Sequence, residues 1–361
     1  MCKIAFYNCT QCTFKSISCS ITSSVLLFLL SFNPISVTAK AMSDLLQFFT
    51  TQSSKSILNV DECEATLSAF YSHYADFHEE KPPWSSLNFT VITEFIADPR
   101  LDDHPTIIHL LLSSLRIISR YHIHHSDFSH RSLETLVYML KDSLNDLNDA
   151  NIIILLGILT NLSLTASITE LFLSLDVISP LQTLISNTIS DDLLTSSCSL
   201  LQTLAYHDAG KHALLNLTSS LCSLLSTSSD LLKCSVLGVL HNITTLPESL
   251  PFIYESKVIP LLLSLLDPNP SNEVRSQLIL LSSGTVQNIV RDSSCRQVVV
   301  DNKGVELLCN VAAYGDWEAQ RGAIGALVNI FSCEGNGKSF KLVKELIGDL
   351  IVLGFFADNL G

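Results

Sequence analysis

Apolar residues in this chain come in pairs four positions apart, and the pairs return at a nearly constant interval. Leu140 and Leu144, Leu181 and Ile185, Leu221 and Leu225, Leu261 and Leu265, and Leu307 and Val311 form the series; a sixth start, Leu350, meets Gly354 instead of an apolar partner. Apolar groups spaced i, i+4 lie on one face of a helix, whereas a strand buries every second residue. A second marker runs in phase with the first: Gly157-Ile-Leu-Thr-Asn161-Leu, Gly238-Val-Leu-His-Asn242-Ile, Gly284-Thr-Val-Gln-Asn288-Ile and Gly325-Ala-Leu-Val-Asn329-Ile. Between the first two, Cys198-Ser-Leu-Leu-Gln202-Thr puts Gln202 at the amide position. The amide-to-amide steps are 41, 40, 46 and 41 residues, and stepping back 41 from Asn161 reaches Arg120. The long step contains Asp267-Pro268-Asn269-Pro270, which no helix continues through, so it is a longer loop in an unbroken period.

Helix-start signals agree with the period. Ser190-Asp191-Asp192, Ser229-Asp230 and Ser271-Asn272-Glu273 each place a capping hydroxyl and early acids at the head of an amide-bearing helix. Shorter helices fit the gaps at Ile168 to Leu175, Leu250 to Tyr254 and Cys295 to Val300. The predicted unit is therefore a short helix followed by two longer ones, repeated about every forty residues. Upstream, Val60 to His73 and Asn88 to Ile96 read as helices without the signature. The chain divides into an N-terminal extension (1–41), a helical cap or degenerate repeat (42–105) and the repeat array (106–361), which ends on a second-helix equivalent, Ile347 to Asn359.

The Gly-x-Leu-x-Asn-Leu/Ile ending, the Val258-Ile-Pro-Leu-Leu second helix and the period together resemble armadillo repeats. The phrase from Trp317 through Ala319-Gln320-Arg321-Gly322 to Asn329-Ile330 carries the likeness furthest. The resemblance implies an all-α, right-handed superhelical solenoid of about five to six three-helix repeats. In such proteins the third helices line a concave groove, and their Asn side chains hydrogen-bond the backbone of an extended peptide. Carried over, this nominates Asn161, Asn242, Asn288 and Asn329, with Gln202 as a longer substitute, and His241, Gln287 and Arg291 as neighbouring groove side chains. An amide offers both a donor and an acceptor, which suits either that role or one of holding adjacent repeats together. One feature departs from importin-α-like members, where a Trp four residues before the Asn walls pockets for Lys and Arg stems. Here those positions hold Arg116, Gly157, Cys198, Gly238, Gly284 and Gly325, so a receptor for nuclear-localisation signals is not expected.

Composition narrows the function. Apolar residues make up 47% and charged residues 16% of the 361, and the mean hydropathy is +0.36, which excludes a disordered chain. A net charge of −14 disfavours general binding to a nucleic-acid backbone. The first 41 residues differ in kind, with Lys3, Lys15 and Lys40, no acid, and four of the 11 cysteines. No charge interrupts the stretch between Lys15 and Lys40, centred on Val25 to Leu30. Ser, Thr, Asn33 and Pro34 dilute it below a full spanning helix. It reads as a dispensable extension ahead of Met42, a membrane anchor, or a signal cleaved at Ala39-Lys40-Ala41. Cys9 and Cys12 have metal-ligand spacing but no second pair follows. The seven later cysteines fall in apolar helical segments, as reduced core residues of a cytosolic protein do. The sequons at Asn161 and Asn242 fall inside predicted helices, which also argues against secretion.

No residue set suggests catalysis or a cofactor. Gly335-Asn336-Gly337-Lys338-Ser339 resembles the end of a phosphate loop, but Ser332 stands where the first Gly is needed and a helix, not a strand, precedes it. His122, His124, His125 and His130 are dense but lack HExxH spacing and nearby cysteines, so they read as a helix-to-helix corner and not a metal site. No G-x-S-x-G elbow occurs, and Asp102-Asp103 and Asp191-Asp192 read as turn and helix-start acids. The sequence thus predicts a non-enzymatic, cytoplasmic interaction scaffold without cofactor or metal. Its partner is a protein segment, nucleic acid is excluded, and contact with a membrane runs only through residues 1–41.

Overall fold

The computed structural model describes residues 58–75, 90–146, 148–266 and 272–333, together with Leu45, Gln47, Phe48, Thr51 and Gln52. The 1–41 extension, the Asp267–Pro270 insertion, the Gly335–Ser339 loop and the helix expected at Ile347–Asn359 lie outside the described residues.

Among the described residues the regular elements are all helical. Helices α1 (Val60–Tyr74), α2 (Thr90–Ile96) and α3 (Pro105–Ser119) precede five triplets. The first triplet is a 3-10 turn (His122–Asp127), α4 (His130–Asp146) and α5 (Asp149–Leu162). The second is α6 (Ala166–Ser174), α7 (Ile178–Asn187) and α8 (Asp191–Leu204), and the third is α9 (Asp208–Ala213), α10 (Thr218–Leu224) and α11 (Asp230–Ile243). The fourth is α12 (Leu250–Glu255), α13 (Ile259–Ser264) and α14 (Glu273–Ile289), and the fifth is α15 (Ser293–Asp301), α16 (Gly304–Tyr314) and α17 (Trp317–Cys333).

Local chemistry sets these boundaries. Asn148, Ser190, Ser229 and Asn272 cap α5, α8, α11 and α14, each side chain accepting a bond from the backbone N–H of Asn151, Leu193, Leu232 or Arg275. Each such cap is worth about 1 kcal/mol. At the head of α14 the cap is Asn272, one residue after the expected Ser271. The turn from first to second helix is sharp in three triplets, where Asp176, Lys257 and Lys303 take φ of 55°, 55° and 60°. In the second triplet the turn closes as a helix C-terminus usually does, with Val177 N–H donating to Phe172 O at 3.1 Å.

Packing then builds a solenoid. The third helices form one row, α1, α3, α5, α8, α11, α14 and α17, each lying against the next, while second helices such as α10 and α16 cover α11 and α17 from one side. A single apolar core runs through the array, with Leu155, Leu159, Leu200, Leu237, Leu240 and Val286 fully buried. No triplet could bury its faces alone, and stacking removes them from water. Leu181, Ile185, Leu221 and Leu225 point inward as the periodicity predicts. In α13 and α16 the inward residues are Leu262 and Leu308, while Leu261 and Leu307 are half-buried. Both cases fall in runs of adjacent leucines, where the sequence does not distinguish the inward member. Cys63, Cys198, Cys222, Cys234 and Cys295 are buried thiols outside any disulfide. Burial pushes the thiols of Cys198, Cys222 and Cys295 to about 12, 11 and 12, so they pack as small apolar groups. No single helix among the described residues is long and apolar enough to cross a membrane.

Candidate peptide-binding groove

The third helices α5, α8, α11 and α14 tighten in their last turns. Beyond the helix the N–H groups of Leu164, Tyr206, Thr245 and Arg291 reach back three residues instead of four, to Asn161, Thr203, Asn242 and Asn288. The carbonyl just before each acceptor is passed over: Thr160, Gln202, His241 and Gln287. Helix ends always leave carbonyls without an internal donor, and a buried one must find another partner. Here the next repeat supplies it. Asn242 Nδ2 donates to Gln202 O at 3.1 Å, Asn288 Nδ2 to His241 O at 3.1 Å, and Asn329 Nδ2 to Gln287 O at 3.0 Å. Asn288 also reaches Thr244 Oγ1 at 3.3 Å. Asn161 makes the same step through a hydroxyl, donating to Ser119 Oγ at 2.9 Å, which itself donates to Arg116 O at 2.9 Å.

This geometry corrects the register of two residues. Gln202 is not at the amide position. Ser190 and Ser229 cap α8 and α11, and counting from the caps pairs Gln202 with His241 and Thr203 with Asn242. Amide-to-amide counting misplaced it by one because the step from α8 to α11 is one residue shorter than from Gln202 to Asn242. Thr203 is 1% exposed and donates to Ser199 O in its own helix, so this rung is missing. Arg120 is likewise not the equivalent of Asn161: Ser119 plays the part of Thr244, which sets Arg116 beside His241 and puts Ile117 at the amide position. For Gln202 the cap spacing was the signal that could have placed it.

Two parallel rows result. One carries Asn161, Asn242, Asn288 and Asn329, all half-buried. Their Nδ2 groups are engaged with the preceding repeat, and their Oδ1 atoms have no donor among the described residues. The other row carries Arg116, Thr160, Gln202, His241, Gln287 and Val328. Its long members lie across the glycines of the following helix. A Cβ on Gly238 would stand 2.4 Å from Gln202 Cδ, one on Gly284 2.7 Å from His241 Cε1, and one on Gly325 2.2 Å from Gln287 Nε2. A side chain at any of these glycines would displace the end of its neighbour's side chain, and the same crowding disfavours an aromatic wall. His241 Nδ1 is buried without a partner, and burial holds the imidazole below its ordinary value. Arg291 faces the helix ends: its Nη2 donates to Thr244 O at 3.1 Å and Thr245 O at 3.3 Å, and its Nε to Asn288 O at 3.0 Å. Its charge thus caps the carbonyl ends of α11 and α14.

Comparison with known proteins bears on the fold. No protein-family model matches the sequence, and neither does any curated protein. Among solved structures, a designed armadillo repeat protein, YIII(Dq)4CqI, superposes with a TM-score of 0.58 at 16% identity, covering 66% of this chain and 98% of its own. A second design, YIII(Dq.V1)4CPAF, in complex with the peptide (KR)4, gives 0.57 at 16% identity with 66% and 98% covered. A further engineered protein gives 0.62 at 14% identity and covers 93% of this chain and 84% of its own. The chain has the armadillo fold.

Within that armadillo frame the histidine-rich segment is a structural corner. His125 Nε2 donates to Ser119 O at 2.9 Å and its Nδ1 meets Thr165 Oγ1 at 2.8 Å, while His124 Nδ1 lies 2.7 Å from Asp127 Oδ2. Burial is the main reason the His125 imidazole lies below its ordinary value. Among the described residues no three His, Cys, Asp or Glu side chains converge as metal ligands would. At the groove's N-terminal lip, Asp230 is balanced by Lys233 at 3.4 Å and Arg275 at 2.7 Å.

Proposed function

We propose that the protein is a non-enzymatic scaffold that holds an extended segment of another protein along the concave face of its third helices. The row of Oδ1 acceptors on α5, α11, α14 and α17 carries this reading. Neighbouring helix axes lie about 8–10 Å apart, the span of two to three residues of extended chain, so successive acceptors match backbone N–H groups pointing to one side. That a designed neighbour of the same fold is described in complex with a peptide supports the assignment. The polar row and its glycines leave no aromatic pockets, which favours an adaptor over an importin-like carrier. The net charge of −14 disfavours a nucleic-acid partner. Buried reduced thiols favour the cytosol.

Peptides selected from a random library on the full chain test the groove. A combined Asn288→Ala and Gln287→Ala change should weaken them about tenfold, as losing one or two hydrogen bonds does. Gln182→Ala, exposed on α7, should leave them unchanged. Loss of affinity with the α7 change alone would refute the groove. A tethered version of the same scaffold is favoured by the uncharged stretch between Lys15 and Lys40. Membrane fractionation of the full chain against one starting at Met42 decides it, and equal solubility removes the anchor.

A further inference from the structure

At the N-terminal end of the polar row stands its one charged member among the described residues, Arg116. Its guanidinium lies across Gly157 of α5, where a Cβ would be 2.9 Å from Nε and 3.2 Å from Cζ. The side chain is half-buried, and no carboxylate pairs with it among the described residues. Arg120, exposed and also without an acid, follows at i+4 on the same side of α3, close enough for like charge to act on Arg116. Arg291 and Arg296 are met by backbone carbonyls instead, and five other cations by acids. Arg100 meets Asp98, Arg131 meets Glu94, Lys211 meets Asp208, and Lys233 and Arg275 share Asp230. Tyr71, 41% exposed on α1, is close enough for its hydroxyl to act electrostatically on Arg116. The acids of the two flanking helices, Asp61, Glu62 and Glu64 on α1 and Asp149 on α5, sit at the opposite ends of those helices.

A partly desolvated guanidinium without a counter-charge is costly, and a second cation one turn away raises that cost. A carboxylate placed between them would offset it, and the planar fork of Arg matches a carboxylate through two parallel bonds. We propose that Arg116 and Arg120 form an anion subsite at the head of the groove, receiving an Asp or Glu side chain of the bound segment. The subsite rests on the groove reading above, and its test separates the two.

Random peptides are selected on the full chain and on an Arg116→Met, Arg120→Gln variant, in which the Met keeps an apolar stem over Gly157. Wild-type pools should carry an acid at one fixed position, and variant pools should lose that preference while keeping the rest of the pattern. A selected peptide with its Glu replaced by Gln should bind the wild-type protein about tenfold more weakly, a change that needs no protein variant. Pools without a fixed acid, persistence of the acid with the variant, or equal affinity of the Glu and Gln peptides would each overturn the subsite and leave the groove standing. Failure to select any peptide on either protein would overturn both.

Discussion

The inter-repeat amides make a graded prediction. Among the described residues Asn242 alone donates to Gln202 O, whereas His241 O receives both Asn288 Nδ2 at 3.1 Å and Thr244 Oγ1 at 3.1 Å. Asn242→Ala therefore strands a part-buried carbonyl, at about 1–3 kcal/mol, while Asn288→Ala leaves its carbonyl with a second donor and costs about 0.5–1.5 kcal/mol. Urea unfolding of the full chain, followed by helix signal at fixed pH, should show both midpoints lowered and that of Asn242→Ala lowered more. Because each repeat touches its neighbours only, the slope must be compared as well; a changed slope would mean the array no longer unfolds as one unit. Two midpoints unchanged within error, or the reverse order, would refute the claim that these amides cap the preceding helix.

Three further outcomes follow from the same geometry. Thr203→Asn should raise the unfolding free energy by about 1 kcal/mol by giving Thr160 O the donor its counterparts have; no gain in a urea titration would contradict the register proposed for α8. Lys257→Gly should stabilise by about 0.5–1 kcal/mol because glycine takes positive φ freely, and Asp176→Gly should gain less, since Asp176 Oδ1 accepts from Ser179 N and Oγ. The folded chain holds His125 and His241 below the ordinary imidazole value of 6.5, which the unfolded chain regains. Below that pH the unfolded state binds protons the folded state refuses, so stability present in full above it should fall as the pH drops below about 6.5 and level off once the folded imidazoles charge. His241→Gln, which copies Gln202 and Gln287, should flatten the profile measured by thermal unfolding; an unchanged slope would remove His241 from the account.

The period, the helix starts and the capped ends were legible because each rests on a few neighbouring residues. Ser190 and Ser229 announce themselves locally, and the i, i+4 leucines fix which elements are helices. The amide row was legible as a row, with Asn161, Asn242, Asn288 and Asn329 at equivalent places in four third helices. What the sequence withheld was the partner of each amide. That the Asn side chains close the preceding helix depends on a carbonyl some forty residues away being skipped by its own backbone, which no local pattern records. Gln202 was misplaced for a related reason: it bears the same carboxamide as Asn, and only the distance from its helix cap separates the two rows. The pairing of Arg116 with Gly157, and of His241 with Gly284, is likewise a contact between helices.

That pairing limits how the array can change. A glycine in one unit and the polar group one unit earlier, such as Gln287 with Gly325, share a single volume, so enlarging the glycine requires the earlier side chain to move or shrink. Shuffling whole units would be tolerated wherever a vacancy met a filler, whatever the filler's chemistry. Grafting in a unit that brings its own indole would demand a small residue upstream at the same stroke. Variation along this molecule should accordingly travel in linked pairs across unit boundaries, leaving each boundary as the true module.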